Sequence, residues 1–289
     1  MKKYNFISGL PRAGSTLLSS ILRQNPRFTA NISDPLQQYV HSIIRETSAS
    51  VGMESTVNIP KRREIIHGMF DSFYSDANEV CFNTNRGWAA DTALLKDLFP
   101  DFKMIVCVRE IPWILDSFEV LNSKNPYTIK PLYHHQELGS VYERTHMLMG
   151  NVPNFAGYVA GPLNNVKQSL FCAERDQILY IEYDALVSNP AAVMEHVYKF
   201  LGEPFYLHDF DNVENSYDEF DEQAKIEGLH KVRRKVEWIN RDPILPTDLW
   251  VQYSSASFWK EGFEPLRSQL NWLGLEQKPV INNNIARQL

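Results

Sequence analysis

The hydrophobic residues alternate between short continuous runs and longer segments in which they recur every three or four positions. Short apolar runs are typical of buried strands, and the longer spacing is typical of amphipathic helices. The run Lys103–Val108 is rich in β-branched residues and is bounded by charge, as expected for a parallel strand buried on both faces. Four runs predict strands: Tyr4–Ser8, Glu79–Phe82, Lys103–Val108 and Gln177–Ile181.

Helical spacing fills the intervals between these strands. Asn189 followed by Pro190 is a helix start signal, and Gly202 is a matching end signal. The predicted helices are Thr16–Arg23, 135–149, 162–174, and segments that begin near Asp34, Ile65, Thr92 and Asn189. Strands that alternate with helices predict an α/β fold with one parallel sheet flanked by helices on both faces. We expect a single domain over residues 1–289, with a polar tail from about residue 280.

Charge and cysteine content narrow the functional class. The 29 Lys and Arg residues are outnumbered by 35 Asp and Glu residues, and a net charge of −6 does not favour bulk nucleic-acid binding. Cys81, Cys107 and Cys172 are far apart, so they indicate neither a zinc ribbon nor a disulfide framework. No apolar run approaches the roughly 18 residues of a membrane span. We therefore expect reduced thiols, a first strand that belongs to the mature fold, and a cytoplasmic protein.

The loop after the first predicted strand carries the most specific signal. Residues 9–16, Gly-Leu-Pro-Arg-Ala-Gly-Ser-Thr, have the phosphate-loop spacing G-x4-G-x-[ST] between a strand and a helix. Glycines let the backbone approach an anion, and amides at the helix N-terminus bind it. Ser15 stands where a nucleoside triphosphatase has lysine, and the cation is instead Arg12, whose guanidinium can hold phosphate or sulfate with two hydrogen bonds. The alternative is an ordinary strand-to-helix turn.

Three stretches together resemble a known family. They are "FISGLPRAGSTLL" at residues 6–18, "LFPDFKMIVC" continuing through Val108-Arg109-Glu110 to Ser117, and "YIEYDALVSNP" at Tyr180–Pro190. In this order they are similar to sulfotransferases that use 3′-phosphoadenosine 5′-phosphosulfate (PAPS). The first stretch is most similar to that of protein-tyrosine sulfotransferases and their bacterial relatives. The resemblance covers most of residues 4–203 and implies a P-loop NTPase-like sulfotransferase architecture, PAPS as donor and no metal.

The resemblance also implies roles for individual residues. Arg109 and Ser117 would hold the 3′-phosphate, and Tyr183 would lie near the adenine or the 3′-phosphate. The 5′-phosphosulfate would be held by Arg12, Ala13, Gly14, Ser15 and Thr16. From the residues alone, Arg109 could instead pair with Glu110 at the surface. Ser117 could equally be an exposed hydroxyl, and Tyr183 a core tyrosine.

The densest cationic run, His230–Lys235, falls where the family closes a C-terminal segment over the nucleotide. The resemblance implies that this run clamps phosphates, and Lys231 and Arg233 are the candidates. The alternative is a solvated helix face, which is usual for charge runs.

Catalysis by this family requires charge stabilisation and a general base. Arg12 is the candidate for the developing charge. The family commonly adds a lysine after the second strand; here Thr84 is nearest to that position, and Arg86 is a possible substitute. The glutamate base of the tyrosylprotein enzymes is absent, so the candidates for the base are Asp34, His41 and His230. Asp34 precedes Pro35 and is also a candidate helix cap.

Three functions fit the sequence to different degrees. The first is sulfuryl transfer from PAPS to an acceptor hydroxyl or amine on a small molecule, carbohydrate or peptide. The second is a P-loop kinase or NTPase, disfavoured by Ser15 and by a strand that ends in Arg109. The third is a non-catalytic nucleotide-binding protein. Tyr127–His135 is a candidate acceptor-pocket segment, and His134, His135 and His146 match no metal-ligand spacing.

Overall fold

The computed structural model describes residues 2–126, 133, 139–151, 156–214, 221–222, 228–260 and 263–274. The candidate acceptor segment Tyr127–His135 lies outside the described residues except for Tyr133, and so does the predicted polar tail from about residue 280. None of the described helices combines the length and apolar character that a membrane crossing requires.

The described strands form one parallel sheet in the order β2-β3-β1-β4-β5-β6. Their bounds are β1 Lys3–Gly9, β2 Phe28–Ala30, β3 Val80–Thr84, β4 Met104–Val108, β5 Ile178–Glu182 and β6 Asn271–Leu273. The α/β prediction is confirmed. Each of the four predicted strands coincides with an observed strand to within two residues. The short edge strands β2 and β6 were not predicted.

Helices occupy the connections between strands, as the periodicity predicts. Asn189 caps α10 by accepting a hydrogen bond from the Ala192 amide, and Gly202 ends that helix in the left-handed conformation. The predicted helix 162–174 begins earlier and ends at Ser169. The α-helices are α1 Ser15–Leu22, α2 Leu36–Thr47, α3 Val51–Thr56, α4 Ile59–Phe73, α5 Thr92–Leu98, α6 Ile111–Lys124, α7 Val141–Leu148, α8 Ala160–Ser169, α9 Tyr183–Ser188, α10 Pro190–Leu201, α11 Thr247–Ser254 and α12 Glu264–Arg267. Arg86–Ala90 and Arg175–Gln177 form 3₁₀ turns.

The interior of the sheet is buried on both faces. Every residue of β3, β4 and β5 is buried, which requires cover on the two sides of the pleat. Cys81 and Cys107 are free thiols in this core, as predicted. Burial raises the pKa of the Cys107 thiol to about 12, so the group is neutral and unreactive.

Strand order brings the loops of interest to one edge. From β1 the chain passes to one side for β2 and β3 and then to the other side for β4, β5 and β6. Ligands of open parallel sheets bind beyond the carboxyl ends of the strands where the order reverses. Here Gly9 pairs with Cys107, and Val108 with Glu182, so the ends of β1, β4 and β5 lie side by side.

Candidate anion-binding active site

A cleft of about 1790 Å³ opens at the carboxyl edge of the sheet. Its described lining holds nine lysine or arginine side chains and one glutamate, Glu237. In a chain with a net charge of −6 this is a strong local concentration of positive charge. The cleft therefore favours an anionic ligand.

The loop between β1 and α1 is shaped by two glycines. Gly9 has φ +119°, and a Cβ there would collide with the backbone of Cys107 on the neighbouring strand. Gly14 has φ +93° and is the N-cap of α1, and it lines the cleft together with Ser15 and Thr16, so the first turn of that helix borders the cleft. Arg12 also has a positive φ, 59°. The loop thus combines helix N-terminal amides, which have no partner within the helix, with a fixed cation.

Arg12 crosses the cleft to two other parts of the chain. Its Nε donates to Ser117 Oγ at 3.0 Å, and its Nη1 donates to the carbonyl oxygen of Leu229. In the described part of the chain no carboxylate oxygen lies within 4.0 Å of the Arg12 guanidinium. Burial, and then the charge of Arg109, lower its pKa to about 10, so the group remains a cation at neutral pH. A buried cation without a close carboxylate favours an anionic ligand.

Arg109 leaves the end of β4 and joins the same site. Its Nη1 donates to the Arg12 carbonyl at 3.2 Å, and its guanidinium lies 4.3 Å from the centroid of the Tyr183 ring. Its buried Nε has no partner among the described residues, and burial lowers its pKa. The alternative in which Arg109 pairs with Glu110 is wrong, because Glu110 pairs with Lys260 at 2.8 Å. Ser117 is buried against Arg12, so the exposed-hydroxyl alternative is also wrong.

The basic run His230–Lys235 contains no helix, which contradicts the alternative of a solvated helix face. Its charges separate into two groups. Arg234 Nε donates to Asn212 Oδ1 at 2.9 Å, and Lys235 Nζ lies 3.5 Å from Asp211 Oδ1. Lys231 and Arg233 are exposed, line the cleft and have no hydrogen bond or ion pair with a described residue.

His230 lines the cleft beside Leu229 and is buried. Its Nδ1 lies 2.7 Å from Asp221 Oδ1, and its backbone amide donates to both oxygens of the same carboxylate at 2.9 and 3.2 Å. Burial, with a smaller contribution from the charges of Arg86 and Arg12, lowers the pKa of His230, although Asp221 acts in the opposite direction. Sequence reasoning missed Asp221, because an aspartate nine residues before a histidine gives no local signal that the two side chains meet.

Asp34 does not line the cleft. Its Oδ2 accepts from the Thr84 amide at 2.9 Å and from the Tyr74 hydroxyl at 3.2 Å, and its Oδ1 accepts from Asn31 Nδ2 at 2.8 Å. Burial raises its pKa. The cap prediction is wrong, because Pro35 is the N-cap of α2 and no side chain caps that helix. Asp34 instead links the end of β3 to the segment after β2.

The remaining candidates divide between the cleft and the surface. Arg86 lines the cleft with its guanidinium 4.7 Å from the centroid of the Tyr158 ring. Thr84 also lines it, but its hydroxyl donates to the Asn31 carbonyl at 2.6 Å. His41 lies outside the lining, with Nε2 2.9 Å from Asp91 Oδ2. Within the ranges that the structure describes, no group of three or more metal-ligating side chains is assembled; His134 and His135 lie outside those ranges.

Comparison with known proteins identifies the family of the chain. The model of the sulfotransferase family matches residues 6–207, a span from within β1 to beyond α10. The chain belongs to the sulfotransferase family. No curated protein sequence matches the chain.

Solved sulfotransferase structures have the same fold as this family member. The sulfotransferase domain from the curacin biosynthetic pathway is 16% identical, with a TM-score of 0.51, and covers 95% of this chain and 99% of its own. A sulfotransferase from Alicyclobacillus acidocaldarius is 16% identical, with a TM-score of 0.50. The alignment covers 72% of this chain and 84% of the Alicyclobacillus chain. Sulfotransferase STF9 from Mycobacterium avium is 13% identical, with a TM-score of 0.50. The alignment covers 96% of this chain and 79% of the STF9 chain. At these identities the likeness establishes the shared architecture.

Proposed function

We propose that this sulfotransferase uses PAPS as donor and transfers its sulfuryl group to an acceptor hydroxyl or amine. The observation that carries the proposal is the pair of cations Arg12 and Arg109, which meet at the ends of β1 and β4 without a described carboxylate within 4.0 Å. Two like charges in a partly desolvated site repel each other, and a multiply charged anion relieves that repulsion. PAPS carries a phosphate at the 3′ position of its ribose and a phosphosulfate at the 5′ position, so it is such an anion.

The loop after β1 and the residues after β4 and β5 would bind different parts of the donor. Arg12 and the loop residues Ala13, Gly14, Ser15 and Thr16 would bind the 5′-phosphosulfate through amide groups and the guanidinium. Arg109 and Ser117 would bind the 3′-phosphate, with the unpartnered Nε of Arg109 available as a donor. Tyr183, already against Arg109, would lie beside the same end of the nucleotide. Lys231 and Arg233, which line the same cleft, would supply further phosphate contacts.

The reaction is an in-line displacement at sulfur. An acceptor oxygen or nitrogen forms a bond to sulfur while the sulfur–oxygen bond to the 5′-phosphate breaks, which releases adenosine 3′,5′-bisphosphate. Arg12 would stabilise charge on the departing phosphate, and Arg86 would take the place of the family's lysine. His230 would accept the acceptor's proton, because it lines the cleft whereas Asp34 and His41 do not. No metal takes part in this scheme.

We assign the acceptor to the part of the cleft that is lined by amide side chains. Gln37, Gln38, Asn85 and Asn165 lie there, close to Arg86. Amides both donate and accept hydrogen bonds, which suits an acceptor with several polar groups. Small molecules, carbohydrates and peptides all supply such groups. The free cysteines fit a reducing compartment, so we place the protein in the cytoplasm.

The test is thermal stabilisation by adenosine 3′,5′-bisphosphate, with AMP and ATP–magnesium as comparisons. A ligand at 100 times its dissociation constant stabilises by about 2.7 kcal/mol. We expect a raised Tm with the bisphosphate, smaller shifts with AMP, and loss of the effect in Arg12→Met. Transfer of ³⁵S from labelled PAPS to a panel of acceptors then tests catalysis.

Other outcomes separate the competing functions. A shift with ATP–magnesium alone would overturn the sulfotransfer proposal in favour of a kinase-like enzyme. A bisphosphate shift without transfer to any acceptor would favour a non-catalytic nucleotide-binding protein.

A further inference from the structure

Asp221 and His230 form a buried pair at the wall of the cleft. Asp221 is 5% exposed and His230 is 9% exposed. The carboxylate receives the histidine's backbone amide through both oxygens and contacts Nδ1 at 2.7 Å. Backbone and ring are therefore attached to the same anchor, which fixes the rotation of the imidazole.

The carboxylate also determines the tautomer of the ring. An ionised carboxylate only accepts hydrogen bonds, so Nδ1 must carry the hydrogen in this contact. In the neutral imidazole the lone pair then belongs to Nε2. A histidine in this tautomer is ready to accept a proton at Nε2, and the adjacent negative charge stabilises the imidazolium that results.

The pair adjoins the loop that follows β1. Leu229, the residue before His230, accepts a hydrogen bond from Arg12 Nη1. Among the residues that the structure describes, Asp221 favours protonation of His230, and the charges of Arg86 and Arg12 oppose it. Since burial opposes protonation as well, the ring is neutral at the start of the reaction at neutral pH.

We propose that Asp221 is the positioning residue that makes His230 the general base of sulfuryl transfer. This inference rests on the proposed function. The acceptor's proton moves to His230 Nε2 as the acceptor oxygen bonds to sulfur, and the donor's sulfur–oxygen bond breaks with its electron pair on the leaving phosphate. Asp221 stays ionised throughout and does not touch the substrate.

The decisive variant is Asp221→Asn in the full chain. Asparagine can still accept from the backbone amide, but its NH₂ group donates to Nδ1 and moves the ring hydrogen to Nε2. We expect kcat with PAPS and any acceptor found in the screen to fall about 100-fold or more, while KM for PAPS changes less than about twofold. The acid limb of the pH profile moves to lower pH, because the charge that favoured the imidazolium is gone. Asp221→Glu restores part of kcat.

A matched control is Asp209→Asn. Asp209 Oδ1 also accepts two backbone amides, from Asp211 at 2.9 Å and Asn212 at 3.1 Å, but Asp209 does not line the cleft. We expect kcat and the pH profile of this variant to match those of the wild type. If Asp221→Asn lowers Tm but leaves kcat and the pH profile at wild-type values, Asp221 is only a structural anchor and the proposal is wrong.

A second measurement does not depend on turnover. Side-chain ¹⁵N NMR of the histidines, with His230→Gln for assignment, reports the tautomer of His230. We expect protonated Nδ1 in the wild type and the opposite tautomer in Asp221→Asn. A wild-type ring with its hydrogen on Nε2 would overturn the Asp221 role by itself. If the NMR spectra show the expected tautomers but the protein transfers no sulfuryl group to any acceptor, the Asp221–His230 pairing is correct and the proposed function is wrong.

Discussion

The guanidinium of Arg109 lies 4.3 Å from the centroid of the Tyr183 ring, and a Cβ on Gly14 would come within 2.9 Å of Cδ2 of the same ring. Tyr183 begins the helix after β5, Arg109 follows β4, and Gly14 ends the loop after β1. One tyrosine thus packs against the two segments that carry the candidate anion-binding groups. The contact joins all three regions of the family resemblance.

Replacement of Arg109 tests this contact as part of the donor site. A hydrogen bond to a charged group contributes about 1.5–3 kcal/mol, so Arg109→Met is expected to weaken adenosine 3′,5′-bisphosphate binding by about 10-fold to 150-fold. Tyr183→Phe keeps the ring face and is expected to change affinity less than about threefold. Isothermal titration calorimetry measures both. Equal losses in the two variants would contradict a phosphate contact from Arg109.

Gly14 is expected to tolerate no side chain. Gly14→Ala places a Cβ against Tyr183 at a φ of +93°, which costs about 1–3 kcal/mol of stability and displaces the first amides of α1. Gly68→Ala in α4 is the matched control, since a Cβ there has nothing within 4 Å and alanine favours a helix by about 1 kcal/mol. Chemical denaturation and bisphosphate titration should show a loss of both stability and affinity in the first variant only. A Gly14→Ala protein with normal affinity would contradict the anion loop.

Asp34 is expected to stabilise the fold rather than act as the base. Asp34→Asn disturbs the bonds from the Thr84 amide and the Tyr74 hydroxyl and should lower the free energy of unfolding by roughly 1–3 kcal/mol. kcat of the folded variant should remain within about fivefold of the wild type, well short of the roughly 100-fold loss expected when a general base is removed. Denaturant unfolding and steady-state kinetics, measured on the same preparation, separate the effect on stability from the effect on kcat. A large fall in kcat at unchanged stability would return Asp34 to the list of candidate bases.

His208 makes the fold sensitive to acid. Its Nε2 lies 3.1 Å from the Tyr198 hydroxyl, and burial lowers its pKa from 6.5 to about 4. The unfolded chain binds a proton below pH 6.5 that the folded chain does not, so stability is full above that pH and falls as pH drops towards 4. After allowance for solvent screening the loss is on the order of 2 kcal/mol.

Denaturant unfolding of His208→Gln from pH 8 to pH 4 checks this sensitivity. The difference in unfolding free energy between wild type and variant should shrink as the pH falls. His196→Gln, at an exposed histidine of α10, controls for the substitution itself. A difference that stays constant across the range would contradict the role of His208.

Local patterns were sufficient for much of the architecture. Lys103–Val108 predicts β4 because a strand buried on both faces must be apolar at every position, and Asn189 with Gly202 predicts both ends of α10 because caps act within one turn. β2 at Phe28–Ala30 and β6 at Asn271–Leu273 escaped prediction, since three residues are too few for a period to be recognised.

The sequence by itself determined the α/β class, the glycine-containing loop after β1 and the cation at the end of β4, because strand burial, glycine geometry and helix termini are local properties. Only the tertiary structure decided which groups meet. In the folded chain Asp34 lies outside the cleft lining, and Asp221 pairs with His230. Lys231 and Arg233 line the cleft without a described partner, whereas Arg234 contacts Asn212 and Lys235 contacts Asp211. These pairings join residues whose side chains approach only when distant segments fold together, and burial then sets their charge states.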